Sequence, residues 1–420
     1  MTPEIKRRIE QLRHGEEPDG YIRTKAGIMP LDWCAEKEYK AKEIFKSVTN
    51  KKHNGEFEVL SATQDKGVIP RSQVDIDIKF DESSVTGYKK VDRGDFVISL
   101  RSFQGGIEYS EYEGLVSPAY TVLKPIVPIC NGYYKAYLKT ADYISRLNRG
   151  TYGIRDGKQI GFEDFGDMIL HYPPLAEQEK IAQILSAQDR IIELHKRKID
   201  ELEKFKRACL QKMFPQKGQR IPEWRFPKFA DPWEDRRFGT MFKRRTERNN
   251  GQFDNTRWIS VAQMYFQEPE KVSSNNIDTR TYVMRRGDIA FEGHSNAEHK
   301  YGRFVANDIG DGVISELFPI YMHIGDYDES YWKYAIQIEN IMAPKLLRCI
   351  EISYTSSNKL DEDFFLKESI LVPSISEQQQ IGTFFRKLDD LILCHHRRLN
   401  EEKQKKKALI QLLLTGIVKV

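Results

Sequence analysis

Pro173-Pro174 is the one Pro-Pro pair in the chain, and a transferase acting on a base amine would need Asn or Asp before such a pair and an aromatic ring after it. Here the neighbours are Tyr172 and Leu175, so neither the amide nor the ring is present. The nearest approach to a phosphate-cradling G-x-x-x-x-G-K-[ST] loop, Gly153 to Gly157-Lys158-Gln159, is one residue short and lacks the hydroxyl that would reach a metal. No H-E-x-x-H zinc signature occurs. Asp32 ahead of Glu38-Tyr39-Lys40 loosely fits a metal nuclease, but in a chain that is 30% charged such triplets arise by chance. His294, Glu298 and His299 fall in an Asn- and Gly-rich loop, which suits base-edge or surface roles better than a metal. The five cysteines (Cys34, Cys130, Cys209, Cys349 and Cys394) form no C-x-x-C pair and are expected as reduced thiols. The expectation is therefore no catalytic residue, no metal site and no cofactor.

The elements that carry the remaining polar residues are organised by an internal repeat. Shifting the chain by 200 residues places Pro173-Pro174-Leu175-Ala176-Glu177-Gln178-Glu179-Lys180-Ile181 on Pro373-Ser374-Ile375-Ser376-Glu377-Gln378-Gln379-Gln380-Ile381. The register continues without a gap through Asp189/Asp389, Ile192/Ile392, His195/His395 and Lys206/Lys406. Upstream, Arg93-Gly94-Asp95-Phe96 echoes Arg286-Gly287-Asp288-Ile289, so the chain is a tandem duplication. The matched segment contains no Gly or Pro from 175 to 214, and steps of three and four pick out Leu185, Ile192, Ile199 and Leu202 in the first copy. Phe385, Leu388, Ile392 and Leu399 fall at or near the same heights in the second. Two such heptad seams in one chain predict two long helices packed on each other. An antiparallel pair is preferred, because it relates the copies by a closed two-fold rotation and holds the globular parts well apart. His395-His396 lies on this seam, as a packing or partner-contact residue.

Short strand candidates such as 95–100, 119–123, 257–261, 288–291 and 319–324 alternate with Gly-, Asn- and Asp-rich turns, and one helix-like stretch stands in each copy at 132–147 and 329–341. The fold class predicted is mixed α/β (α+β): two similar domains joined and separated by a pair of long antiparallel coiled-coil helices. The boundaries are an N-terminal extension at 1–30 with a short amphipathic helix over 3–13, a first domain at 31–172, and a first long helix at 173–214. An exposed linker follows at 215–230, then a second domain at 231–372 and a second long helix at 373–416. Net charge is only +4, so any nucleic-acid face must be local. No apolar run approaches the roughly eighteen residues of a membrane span, and the start lacks a signal-peptide core, so a cytoplasmic protein with no membrane partner is expected.

The Pro-x-Leu-x-Glu-Gln-x-x-Ile turn into a long basic helix, present twice at the ends of two dissimilar domains with Ile375 in place of Leu in the second, resembles the specificity subunit of type I restriction-modification systems. Pro232-Trp233-Glu234 through Phe238-Gly239-Thr240-Met241-Phe242, with its counterpart Leu31-Asp32-Trp33 through Ala41 to Phe45, is similar to the entry of a target recognition domain in that family. The resemblance covers about residues 31 to 416. It implies a non-catalytic subunit that binds double-stranded DNA, each domain reading a few base pairs of a bipartite, asymmetric site. It also implies two adenine methyltransferase (modification) subunits docked on the helices, with restriction (translocase/nuclease) subunits joining the complex.

On that reading the DNA-contacting residues come from loops. In the first domain these are Arg101, Ser102 and Gln104 after a strand, and Tyr152, Arg155 and Lys158 in a Gly-rich stretch. In the second they are His294, Asn296 and Lys300, and Tyr354, Ser356 and Asn358. Arg and Gln suit guanine and adenine edges, whereas Lys suits phosphate. The basic blocks 196–198, 243–245 and 403–407 are expected as a mostly solvated face. The alternatives are a stand-alone DNA methyltransferase or nuclease with a duplicated recognition module, which would transfer label from S-adenosylmethionine to DNA or cut it, and a repeat-built scaffold, which would show no salt-sensitive DNA binding.

Overall fold

A computed structural model describes residues 2–34, 37–74, 82–150, 160–272, 276–352 and 357–420. The chain divides into two units, residues 1–194 with 399–420, and residues 195–398. Each unit is built on an antiparallel four-stranded sheet with the same strand order. In the first the order is Phe45–Val48, Thr121–Pro125, Phe96–Ile98, Glu108–Tyr109. In the second it is Phe242–Arg245, Ile320–His323, Ile289–Glu292, Arg303–Ala306. The smaller ladders repeat too: Lys89–Val91 pairs with Gly114–Val116 as Thr281–Met284 pairs with Gly312–Ser315. The strands that enter and leave each domain, Tyr39–Lys40 with Ile169–Leu170 and Glu234–Arg237 with Ser369–Val372, close it at its base.

Apolar residues on the sheets meet a helical layer in each unit. Phe45, Phe96, Tyr133, Tyr134 and Phe165 are fully buried in the first, and Phe238, Phe304, Tyr321 and Phe365 in the second. Each predicted single helix is two: Asn131–Tyr137 and Ala141–Gly150 in the first unit, Glu329–Ala335 and Glu339–Cys349 in the second. The break in the first follows from Thr140, whose hydroxyl accepts from the Tyr143 amide and caps a new helix start. The predicted helix at the N-terminus is present as Pro3–Arg13, capped by Thr2. It is tied down where Arg8 donates to the Ile417 carbonyl at 2.9 Å, beside Tyr21 donating to the Gly416 carbonyl at 2.6 Å.

The long helices are Leu175–Lys212 and Ile375–Leu414. Of the eight predicted pairing residues, Leu185, Ile192, Ile199, Leu202, Phe385, Leu388 and Leu399 are buried and Ile392 is half-buried. Within the first unit Gln188 Nε2 donates to the Glu402 carbonyl at 3.1 Å and Lys406 pairs with Asp189 at 2.5 Å. Within the second, His195 meets His395, while Lys206 meets Asp389 and Phe205 meets Phe384. In the second unit rising numbers on one helix, 195 and 206, meet falling numbers on the other, 395 and 389, so the helices run antiparallel, and the two-seam pattern is the physical cause.

The repeated Glu-Gln signature acts at the helix starts. Gln178 Nε2 donates to the Pro173 carbonyl at 2.8 Å and Gln378 Nε2 to that of Pro373 at 3.1 Å, which folds the entering chain over the first turn. Glu177 and Glu377 are buried and each holds an upstream segment. Trp33 Nε1 donates to Glu177 at 2.9 Å, whereas Arg225 donates to Glu377 through two nitrogens at 2.8 Å each. Residues 215–230 lack regular structure, but Arg225 thus anchors a segment predicted to be an exposed linker. Its side chain is 11% exposed and that of Glu377 1%. Removing one partner of such a pair leaves a buried charge and costs about 3 kcal/mol or more. Arg225→Met should therefore destabilise the protein by about that much, and Trp33→Phe, which removes one hydrogen bond, by about 1 kcal/mol. Urea denaturation of both variants measures the difference, and equal losses would contradict the assigned roles.

Candidate nucleic-acid interface

The two domains present the same turn at the same place. The strands Phe96–Ile98 and Ile289–Glu292 follow the matching Arg-Gly-Asp triplets, so Ser99 corresponds to Glu292 and Arg101 to His294. In both copies the side chain at the strand end accepts the amide two residues on: Arg101 N donates to Ser99 Oγ at 3.3 Å, and His294 N to Glu292 Oε1 at 3.0 Å. This local bond turns the chain out of the sheet and leaves the side chains of Arg101 and His294 exposed. The buried aspartates of the triplets stiffen the strands behind. Lys124 pairs with Asp95 at 2.8 Å, and Arg245 pairs with Asp288 at 2.6 Å. Burial raises the carboxyl pKa of Asp95 and of Asp288 despite these cations.

In the first domain Ser102 starts the short helix Ser102–Gly105, and its hydroxyl accepts from the Ser99 amide at 2.8 Å. At 1% exposure Ser102 shapes the loop from inside and does not present its hydroxyl to a ligand, a departure from its predicted place among the contacting residues. Gln104 is exposed, with Gln64 Nε2 3.4 Å from its Oε1. Beneath them Lys139 Nζ donates to the carbonyls of Gln64 at 3.2 Å and Gly105 at 2.8 Å and pairs with buried Glu108. Burial pushes the Glu108 carboxyl up to about 7 against the pull of Lys139. Tyr152, Arg155 and Lys158 lie outside the described residues.

In the second domain the two predicted loops come together. Asn358 N donates to the Gly293 carbonyl, and its Nδ2 lies 3.2 Å from Ser295 Oγ, so Asn358 is a buried clamp where a contacting side chain was predicted. Asn296 is exposed, but its side-chain Oδ1 accepts from the Glu298 and His299 amides at 2.9 and 2.8 Å, which fixes the loop tip. His299 turns inward to Glu339 at 2.9 Å, and Lys300 is exposed. Tyr354 and Ser356 lie outside the described residues. Of the block 243–245, expected to be a solvated face, Arg245 is mostly buried on Asp288 and Arg244 lies over the Tyr321 ring. Sequence reasoning missed Glu108, Lys139 and Glu292; extending the Arg-Gly-Asp register by six residues would have aligned Arg101 with His294 and exposed Glu292.

Among the described residues no group of three or more His, Cys, Asp or Glu side chains is arranged to hold a metal, and no helix is long and apolar enough to cross a membrane.

Residues 35–204 match the model of the type I restriction modification DNA specificity domain. The chain is 22% identical over 357 residues to the type I restriction enzyme MjaVIII specificity subunit of Methanocaldococcus jannaschii, covering 79% of this chain and 80% of that one. Among solved structures, a chain from a study of complex assembly and conformational transition of the type I restriction-modification system superposes with a TM-score of 0.51 at 13% identity, over 96% of this chain and 100% of that one. The HsdS subunit of Thermoanaerobacter tengcongensis gives a TM-score of 0.49 at 13% identity, over 96% and 98%. A specificity-domain match over residues 35–204, the same strand order repeated in the second unit, and a curated relative aligned over 79% of this chain make the chain similar to type I restriction-modification specificity subunits.

Proposed function

We propose that the chain is the non-catalytic, sequence-reading subunit of a cytoplasmic type I restriction-modification complex. On this reading each domain recognises one half of a bipartite double-stranded DNA site. The halves differ in sequence because the domains carry different side chains in equivalent positions. Two adenine methyltransferase subunits dock on the paired helices, and restriction subunits join them. The observation that supports this most is the duplicated turn that exposes Arg101 in one domain and His294 in the other, each at the end of the same strand of the same sheet. A planar guanidinium can donate two hydrogen bonds to the O6 and N7 edge of guanine, a contact worth about 1–3 kcal/mol of discrimination. Phosphate contacts position the protein but carry no sequence information.

Arg101→Ala should therefore relax one base pair of the first half-site by about tenfold or more and leave the second half-site unchanged. Selection of binding sites from random duplex DNA measures both halves at once. Equal weakening at both halves would contradict the assignment of one half-site to each domain.

A further inference from the structure

Position 294 differs from position 101 not only in its own side chain but in the residue beneath it, which is a carboxylate. Glu292 ends its strand with a side chain only 5% exposed, and its Oε1 lies 2.6 Å from His294 Nδ1 as well as 3.0 Å from the His294 amide. A carboxylate accepts and cannot donate, so Nδ1 carries the proton in this contact. The imidazole is thereby held at two points, by its own backbone and by its ring, and Nε2 is turned to the side of the ring away from Glu292. The His294 side chain remains 64% exposed. Glu292 is itself fixed, with Arg303 Nε 3.6 Å from its second oxygen and Arg303 donating onward to the Ala262 carbonyl. The backbone on either side is fixed as well, because Asn358 clamps both Gly293 and Ser295.

An ordinary surface histidine pays side-chain entropy to adopt one orientation, and a ring held by a buried acceptor has already lost that freedom before a ligand arrives. The same logic orients metal-bound and catalytic imidazoles, whose second nitrogen is set by the bond the first one makes. Here there is no metal cluster among the described residues. The equivalent place in the other domain holds Arg101 above a serine, whose hydroxyl meets the Arg101 amide and the Ser102 hydroxyl. The two copies thus share the turn and differ in the side chain it displays and in what steadies that side chain.

We propose that His294 is a base-reading residue of the second domain, contacting one base edge through Nε2, and that Glu292 is the positioning residue that holds its ring. This rests on the reading of the chain as a DNA-specificity subunit. The discriminating experiment is selection from random duplex DNA with the full chain and three variants. His294→Ala should lose the preference at one base pair of the second half-site by about tenfold or more, with every other position retained. Glu292→Ala should lose the preference at that same base pair. Glu292→Gln, whose amide oxygen still accepts from Nδ1 and from the His294 amide, should restore it. A merely structural role for Glu292 would blur the whole half-site and would not be repaired selectively at one base pair. The proposal is overturned if His294→Ala selects the wild-type site, if Glu292→Ala alters a different position, or if Glu292→Gln behaves like Glu292→Ala. His294→Ala alters an exposed side chain, so it remains informative even if Glu292→Ala fails to fold. Failure of the wild-type chain to enrich any sequence would instead count against the specificity-subunit reading itself.

Discussion

Alanine at Gly106 should silence the first domain's half-site and spare the second, and alanine at Gly293 should do the reverse. Gly106 ends the Arg101 loop with φ +78°, in the left-handed region, and a Cβ there would fall inside the Leu138 carbonyl oxygen. Leu138 follows the helix Asn131–Tyr137 and belongs to the domain core, so it cannot yield cheaply. The cost combines about 1–3 kcal/mol of backbone strain, since φ +78° with ψ −164° is a conformation kept to glycine, with about 1–3 kcal/mol of overpacking, enough to displace the loop. Gly293 adopts no such φ, but its Cβ would collide with the Asn358 carbonyl oxygen and the Ser357 hydroxyl and so part the two loops that Asn358 joins. Each variant should lose the base preferences of one half-site by about a hundredfold, since two or more contacts of about 1–3 kcal/mol are misplaced together. Competition binding with duplexes altered in one half at a time reads this directly. Loss of both halves from either substitution would mean that the domains do not read independently.

The second large effect is a pH dependence carried by His171. Its ring is wholly buried, stacked on Tyr137 and beside Trp33, with Nδ1 3.0 Å from the Leu414 carbonyl. Burial first, and the charge of Arg146 second, lower its pKa to about 4. The folded protein therefore holds it neutral, while the unfolded chain takes up a proton below about 6.5. Its stabilising contribution is complete above that pH and is lost as the pH falls from about 6.5 to about 4, at about 1.4 kcal/mol per unit or about 3 kcal/mol in total. Glu108 acts in the opposite sense over an overlapping window. Its carboxyl, raised to about 7, already holds a proton that the unfolded chain binds only near 4.5, so its destabilising effect fades on acidification. The two slopes offset in the wild type, which is why the test is a difference. The stability advantage of wild type over His171→Gln should shrink by about 3 kcal/mol between pH 7 and pH 4. An advantage that stays constant with pH would contradict a neutral buried ring.

The architecture was legible because it rests on periodic features. A miss of one or two residues in a seam turns a polar side chain into the helix contact, so Leu185, Ile192, Ile199, Leu202, Phe385, Leu388, Ile392 and Leu399 announced the pairing by spacing alone. The duplication made each weak strand signal count twice. The site was legible only at the level of loops. Ser102 and Asn358 have the composition of contacting residues, yet Ser102 accepts from the amide of its own turn and Asn358 fastens a neighbouring loop, which no periodicity reveals. Glu292 was passed over because a single acid at a strand end looks like any solvated carboxylate until its neighbours bury it. The Glu-Gln pairs were read correctly as a family mark, but their physical task, fastening Trp33 and Arg225 to the helix starts, depends on contacts more than a hundred positions away in sequence.

The most direct measurement is the set of sequences bound by the chain, alone and together with the methyltransferase subunits proposed for it, selected from random duplex DNA. The account predicts two short, different blocks of defined bases separated by a gap of fixed length and free composition, with Arg101→Ala relaxing one block and His294→Ala the other. A single uninterrupted block, two identical inverted blocks, or no enrichment in either preparation would contradict it.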